Sequence, residues 1–592
     1  MKQFFKFMFA SFLGTILTII VIFLMFAGMI ASLVAMSGDE EVRVKDHSVL
    51  HISWNTVIND RSSENPLEGF DFATMQSKKP LGLYNILKNI DKASNDPRID
   101  GIFLDMETIP AGMATSEEIR NKLLEFKESG KFVISYANGY DQKGYYMASL
   151  SDEIYLNAEG MILFKGLHAQ IMFFKGLLDK MDIDMQIVRG PNNKYKSAVE
   201  PLMREHISEA SREQMQELLN SLWGKFITAI SQSRGISIDD LTKIADKLEL
   251  TTAEKALEYN FVDGAIYRDE VIKILKEKTG RKEDEKLNYI SFGQYTKAKL
   301  NMAKGLKRNQ IAIVFAEGNI VQGKGDGSNI GSVTIAKAIS KARNDDKVKA
   351  IVFRVNSPGG DALASEIIRR EVELASNDMP VIVSMGNLAA SGGYWISTNA
   401  DYIFAQPTTI TGSIGVFGII PNFGKLFKDK LGINVDDIMT NENSDFIDVM
   451  KPLSPFQHAV LDESVKKIYN DFTKLVARTR NLDIEYVDSI ARGRVWSGTD
   501  AKKLGLIDDF GGIEDAIAYA AEKADLGDDY RITTYPKRKE FLQQLMEELT
   551  GQASISIVKH ELGDYYPYYQ KMQSLQTMKG VQARLPFFME IN

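Results

Sequence analysis

The body of this chain is written twice. The segment GYYMASLSDEIYL (144–156) resembles GGYWISTNADYIFA (392–405), and the same offset, about 249 residues, aligns ATSEEIRNKL (114–123) with LASEIIRREV (363–372). Farther on, TAEKALEYNFVDG (252–264) resembles SGTDAKKLGLIDD (497–509). Three matches in one order at nearly constant spacing predict two halves that share one plan, each about 250 residues long.

Within each half the pattern alternates. IAIVFAEG (311–318), AIVFRVNS (350–357) and VIVSMGN (381–387) are short apolar runs suited to buried strands. Between them, VTIAKAISKARND (333–345) and ALASEIIRREVELAS (362–376) carry helical periodicity. Strand–helix–strand repetition implies an α/β fold with mostly parallel strands. The charged stretch KEKTGRKEDEKLN (276–288) reads as a boundary or surface segment between the halves. The tail after about Tyr535 mixes helical and aromatic-rich turn signals and is assigned no chemistry.

Ahead of the duplicated body, Lys2 and Lys6 precede an uncharged run from Phe7 to Met36. A helix of about 30 residues is about 45 Å long, enough to cross a bilayer with tilt. Asp39, Glu40 and Glu41 follow at once. Basic residues before the span and acidic ones after it argue for an N-terminus inside and the bulk outside. A cleaved signal peptide is the competing reading, but its apolar region is ordinarily shorter. The expected layout is a cytoplasmic tip at 1–6, an uncleaved anchor at 7–36 and a soluble body tethered by it.

Composition removes several chemistries. The chain has no cysteine, so disulfides, thiolate metal sites and cysteine nucleophiles are all excluded. Net charge is −8 and no Lys/Arg block occurs, which gives a nucleic-acid role no support. No GxxxxGK[ST] loop is present, so ATP-driven unfolding within this chain is unsupported.

Two turns carry chemical interest. NSPGGDALAS (356–365) follows a buried strand and leads into a helix, and Gly359–Gly360 permit conformations closed to other residues. Amides exposed there can stabilise negative charge. NLAASGGYW (387–395) also follows an apolar strand and enters a helix; small neighbours leave the Ser391 hydroxyl accessible and Gly392 admits a substrate backbone. Alone, each is an ordinary turn. Together, on neighbouring strands, they supply a nucleophile and an oxyanion hole for one carbonyl carbon.

A nucleophilic serine needs a base. His47 and His51 lie near the anchor, and His168, His206, His458 and His560 sit in no triad context. HELGD (560–564) lacks the second histidine of a zinc site. Lysine is the alternative, provided burial lowers its pKa enough to leave it neutral. The candidate is Lys196 in KYKSAVEPLM (194–203), with Lys194 as its nearest rival.

NSPGG, AASGGYW, TGSIGV (411–416) and YKSAVEP together resemble signal peptide peptidase A (protease IV) of the long, duplicated type, over nearly the whole chain. The resemblance implies tandem ClpP/crotonase-like α/β domains, at 47–300 with the general-base lysine and 310–592 with the nucleophile. It implies a Ser-Lys dyad in which Ser391 attacks, Lys196 takes the proton, and the amides of Gly360 and Gly392 hold the oxyanion. Ser413 in TGSIGV matches a family serine that hydrogen-bonds the lysine. No metal or other cofactor is implied. The implied substrates are cleaved signal peptides and other apolar extended peptides, taken by strand addition. The implied assembly is a tetramer-like ring or bowl at the cell (inner) membrane, with the body on the extracytoplasmic side.

In the alignment of the halves, Ser391 falls opposite Gln142, NSPGG opposite ETIPA (107–111), and Lys196 near Ile447. Each half has lost what the other kept, which predicts a composite site between halves, whether within one chain or between neighbours. Two other functions share parts of this pattern. A crotonase-type acyl-thioester enzyme would need neither Ser391 nor Lys196, and a non-catalytic membrane scaffold would need none of these motifs.

Overall fold

The apolar runs become strands where the sequence places them. In this computed structural model, residues 2–36, 42–62, 70–71, 76–77, 81–190, 192–299, 307–325, 328–537 and 580–584 are described. Strands Asn309–Glu317, Val348–Ser357 and Val381–Ala390 pair in parallel, and nearly every residue in them is buried. Such strands need cover on both faces. Helices Ser332–Arg343 and Ala362–Asp378 cover one face through Ile335, Ile339, Ile368 and Val372. The second of these helices is capped by Asp361, whose Oδ1 accepts from Ala364 N at 2.7 Å.

The duplication is visible in the sheet order. In the first half the strands run Gly264–Ala265, Glu153–Leu156, Phe132–Ala137, Ile99–Asp105, Ser48–Ile52, Asn288–Ser291, all parallel. The second half repeats that order with Asp509–Phe510, Tyr402–Ala405, Val381–Ala390, Val348–Ser357, Asn309–Glu317 and Tyr530–Tyr535. Its strand Val381–Ala390 is longer than its counterpart and continues past Tyr402–Ala405 to pair with Ile410–Gly412. That extension carries the chain to Ser391. The charged stretch 276–288 ends a helix and enters the last strand of the first sheet, so it is a surface segment of the first half rather than a boundary.

A third sheet joins the halves. Its order is Ile330–Gly331, Ile320–Val321, Gly359–Asp361, Gly580–Arg584, Phe417–Asn422, Asp184–Val188. Two features depart from the sequence reading. The Gly359–Gly360 turn enters a short strand before its helix begins, because Gly360 pairs with Ile320. The tail contributes the strand Gly580–Arg584; the rest of it after Lys537 lies outside the described residues, as does His560.

The halves also share buried polar contacts. Helix Met113–Glu128 of the first half lies on the second sheet, where Asn387 bonds the Thr115 backbone and hydroxyl at 3.1 and 2.8 Å. Arg354, at the centre of the second sheet, is buried and holds Asp60 and Glu118 of the first half at 2.7 Å each. Ahead of all this, helix Lys2–Met36 contains the span Gln3–Met25, long and apolar enough to cross a membrane, with its described residues exposed. An apolar helix left uncovered by protein associates the chain with a membrane.

Removing one member of a buried ion cluster strands the others in a low dielectric. Arg354→Leu is therefore expected to destabilise the docked halves by about 3–5 kcal/mol, read as a lowered thermal midpoint; an unchanged midpoint would show that Asp60 and Glu118 find other partners.

Candidate active site

Ser391 sits where the strand Val381–Ala390 turns into the helix Gly392–Ser397. Its backbone, at φ 56° and ψ −114°, lies outside the relaxed regions for a residue with a side chain. The conformation is held by the Ser391 N–H donating to Gly412 O at 2.8 Å. It leaves the hydroxyl buried and pointing across the sheet end, 3.3 Å from Gly415 O.

Lys196 arrives from the other half. The edge strand Asp184–Val188 runs antiparallel to Phe417–Asn422, and the loop beyond it turns back into the second half. There Lys196 Nζ lies 2.7 Å from Ser391 Oγ, 2.9 Å from Ser413 Oγ and 3.0 Å from Ser413 O. The side chain is fully buried, and among the described residues no carboxylate contributes to its environment; burial alone lowers its pKa well below the ordinary lysine range. A neutral amine has two hydrogens and one lone pair. Donation to the two Ser413 oxygens uses both hydrogens and leaves the lone pair facing the Ser391 hydroxyl. Lys194, the sequence rival, is exposed and 3.2 Å from Tyr195 Oη.

The two glycine turns meet beside this pair. A Cβ added to Gly359 would fall 2.6 Å from Gly392 N, so the turns are in direct contact. Gly360 lies one residue farther along the same strand, and Ser413 adopts a left-handed backbone at φ 51°. All five residues singled out in the sequence, Ser391, Lys196, Gly360, Gly392 and Ser413, thus belong to one neighbourhood.

Sequence reasoning missed what presses the lysine into place. Gly493, at φ 81°, packs on the Lys196 backbone so closely that a Cβ would lie 2.5 Å from Lys196 Cβ. Its N–H donates to Ile414 O, and Ser413 N donates to Arg494 O at 2.7 Å. Gln214 donates to Tyr195 O and Ser197 Oγ and accepts from Val495 N. The signal was present in ARGRVW (491–496), whose glycine stands between two arginines with no helical role.

Comparison with known proteins agrees with the geometry. The family described as Peptidase family S49 matches at residues 125–282 and again at 373–527. This chain belongs to peptidase family S49. Protease 4 of Haemophilus influenzae is 37% identical over 75% of this chain and 73% of its own length. Protease 4 of Salmonella typhi is 38% identical over 79% and 76%. The chloroplastic serine protease SPPA of Arabidopsis thaliana is 34% identical over 92% and 78%. Among solved structures, a point mutant of ClpP1 from Listeria monocytogenes aligns with 35% of this chain and 94% of its own, at 15% identity and a TM-score of 0.24, too slight a likeness to add to the sheet order above. Membership in S49 makes the chain a serine-class peptidase, and the double family match falls on the duplicated halves.

The first-half counterpart of the Ser391 turn is closed. Gln142 opens the helix Gln142–Ala148, and its Oε1 accepts from Lys165 N and Gly166 N at 3.0 and 2.9 Å. A satisfied amide stands where the other half has a hydroxyl.

Holding an amine neutral has a stability signature. Between its depressed native pKa and the ordinary unfolded value, the unfolded chain binds the extra proton, so stability rises with pH across that window. Lys196→Met lacks this titration. It is expected to be more heat-stable than wild type at neutral pH, with the advantage narrowing as pH rises; a gap constant in pH would show that Lys196 is not held neutral.

Proposed function

We propose that this S49 member is a membrane-anchored serine endopeptidase acting through a Ser391–Lys196 dyad. The observation that carries the reading is the 2.7 Å approach of a buried lysine amine, with no carboxylate among the described residues contributing to its environment, to a serine hydroxyl held in a strained turn. Ser391 Oγ attacks the peptide carbonyl carbon while its proton passes to the Lys196 lone pair. The developing oxyanion is held by the amides of Gly360 and Gly392. The Lys196 ammonium then gives its proton to the leaving amine. Water, activated by the same lysine, hydrolyses the acyl-enzyme and restores both groups. Ser413 acts as a positioning residue, orienting the amine by accepting from it.

The substrates proposed are cleaved signal peptides and other apolar, extended peptides, as the family resemblance implies. The halves are assigned to 47–300 and 310–592, each contributing one member of the dyad. The anchor is assigned an inside N-terminus, which puts the body on the extracytoplasmic side of the cell membrane. A ring-shaped homo-oligomer, with the sites facing inward, would exclude folded proteins by size. A crotonase-type acyl-thioester reaction makes no use of a lysine on the serine hydroxyl, and a scaffold makes no use of a strained one.

The test is turnover of a fluorogenic apolar peptide by the full chain in detergent, measured against pH. Activity is expected to rise with pH as Lys196 loses its proton and to level off well below the ordinary lysine pKa. Ser391→Ala and Lys196→Ala should each lower kcat by about 10⁴-fold, while Lys194→Ala stays near wild type. Near-normal turnover by Lys196→Ala would move the base elsewhere, and a wild type inert to every peptide would favour the scaffold.

Ser413→Ala removes one acceptor of the amine and so disfavours its charged form. The expected result is a lower kcat at unchanged KM, with the pH midpoint moved down. An unmoved midpoint would leave Ser413 a packing residue only.

A further inference from the structure

The loop that delivers Lys196 has little regular structure to hold it. Between the end of strand Asp184–Val188 and the helical turn Ser197–Val199, it passes through Gly190 at φ 67° before it reaches the lysine. Backbone bonds fix part of it: Tyr195 N donates to Arg492 O at 2.9 Å, and Lys196 N to Asn193 O at 3.2 Å. A lysine has a flexible four-carbon stem, and a reacting pair tolerates little displacement. The turn that carries such a base needs a firm hold.

Arg189 supplies that hold. Its Nη2 lies 2.8 Å from Asn193 O and 3.0 Å from Lys196 O. That nitrogen has two hydrogens, one for each carbonyl. One guanidinium thus spans the turn as far as the lysine's own peptide. Asn193 answers in the opposite sense, its Nδ2 donating to Arg189 O. The closed clip rests on the second half. The amide oxygen of Asn193 is buried against Gly415, where an added Cβ would fall 2.7 Å from it. Gly415 O is the carbonyl 3.3 Å from Ser391 Oγ. The clip therefore touches the backbone of the base on one side and a neighbour of the nucleophile on the other.

This is an unfavourable place for a cation. Arg189 is half-buried, and among the described residues its side chain bonds two carbonyls rather than a carboxylate. Burial pushes its pKa down, with Glu200 opposing and Arg204 adding to the fall. Glu200 itself is engaged by Ser208, whose N donates to it at 3.1 Å and whose hydroxyl donates at 2.6 Å. A guanidinium nevertheless stays protonated, so its desolvation has no ion pair to offset it. What it adds is directional: two bonds that fix one turn.

We propose that Arg189 is the positioning residue of the general base. With Asn193 it locks the lysine-bearing turn so that Nζ meets the Ser391 hydroxyl, and it acts on catalysis only through Lys196. The proposal rests on the dyad reading above. Because burial alone lowers the Lys196 pKa, a loosened turn that admits water also returns that pKa toward the ordinary range.

The test is turnover of the fluorogenic apolar peptide by the full chain in detergent. Arg189→Met, Arg189→Lys and Asn193→Ala are each measured alone and combined with Lys196→Ala. Arg189→Met is expected to lower kcat by at least about tenfold at unchanged KM, as misplacement of a reacting group by about 1 Å does, and to move the pH midpoint up. Arg189→Lys keeps a donor near the turn and should recover part of the lost kcat. Asn193→Ala should lose less than Arg189→Met in the same direction, and it decides the matter if Arg189→Met does not fold. In the Lys196→Ala background, Arg189→Met should change the residual rate by less than about twofold, since residues that act as a unit are not additive. An unchanged kcat, a loss carried in KM, or the same factor lost with and without Lys196 would overturn the proposal and leave the dyad standing. Near-normal turnover by Lys196→Ala alone would overturn the dyad and the proposal together.

Discussion

A single lysine amine, buried between two serines with its pKa pushed well below the ordinary range by burial, sets the terms for the rest of this molecule. An ammonium in that position would have no carboxylate among the described residues to balance it, and its desolvation would cost several kcal/mol. The surroundings disfavour its charged form and hold it still. Ser413 takes both its hydrogens, in a backbone conformation that few non-glycine residues adopt. Gly493 presses on its main chain, and Ser391 presents its hydroxyl from a strained turn. Strain of this kind persists only where the neighbouring structure over-determines it. Here that structure is the sheet end, the left-handed turns and the docked loop of the other half.

Docking is accordingly part of the chemistry. The lysine and the serine are held by elements that would separate if the halves parted. The contacts that keep the halves together are of a kind that tolerates little slippage: Arg354 against Asp60 and Glu118, Asn387 against Thr115, and the strand pairing of Asp184–Val188 with Phe417–Asn422. Directional polar bonds fix register better than apolar contact alone, and a displacement of about 1 Å at a reacting pair is costly. The first half has meanwhile filled its own vacant turn with Gln142.

Much of this was legible in the sequence because the signals were local. Short apolar runs bounded by Gly-containing turns marked the strands of the second half within a few residues, and the internal repeat predicted that both halves share one plan. Ser391 and the Gly359–Gly360 turn could be singled out because glycines beside a serine at a strand end are compositional signals. Lys196 could not be found from its surroundings alone. A lysine among Tyr195, Ser197 and Ala198 looks like many solvated ones, and the burial that changes its chemistry comes from residues about 200 positions away. It stood as a candidate beside Lys194, and family resemblance singled it out. Gly493 and Gln214 were missed for the same reason, since their partners are distant in sequence. The strand Gly580–Arg584 was missed because five residues with no alternation beyond Val581 and Ala583 carry too little pattern to identify a strand, and its pairing partners are set only by the fold.

The split of the proposed dyad across the halves also orders events in time. Lys196 precedes Ser391 by 195 positions. At about 5–20 residues per second, the ribosome adds Lys196 roughly 10–40 s before Ser391 is synthesised. Through that interval, and until the second body has condensed against the first, the growing polypeptide carries an amine with nothing to activate. For the proposed dyad, latency during biogenesis thus follows from gene order alone.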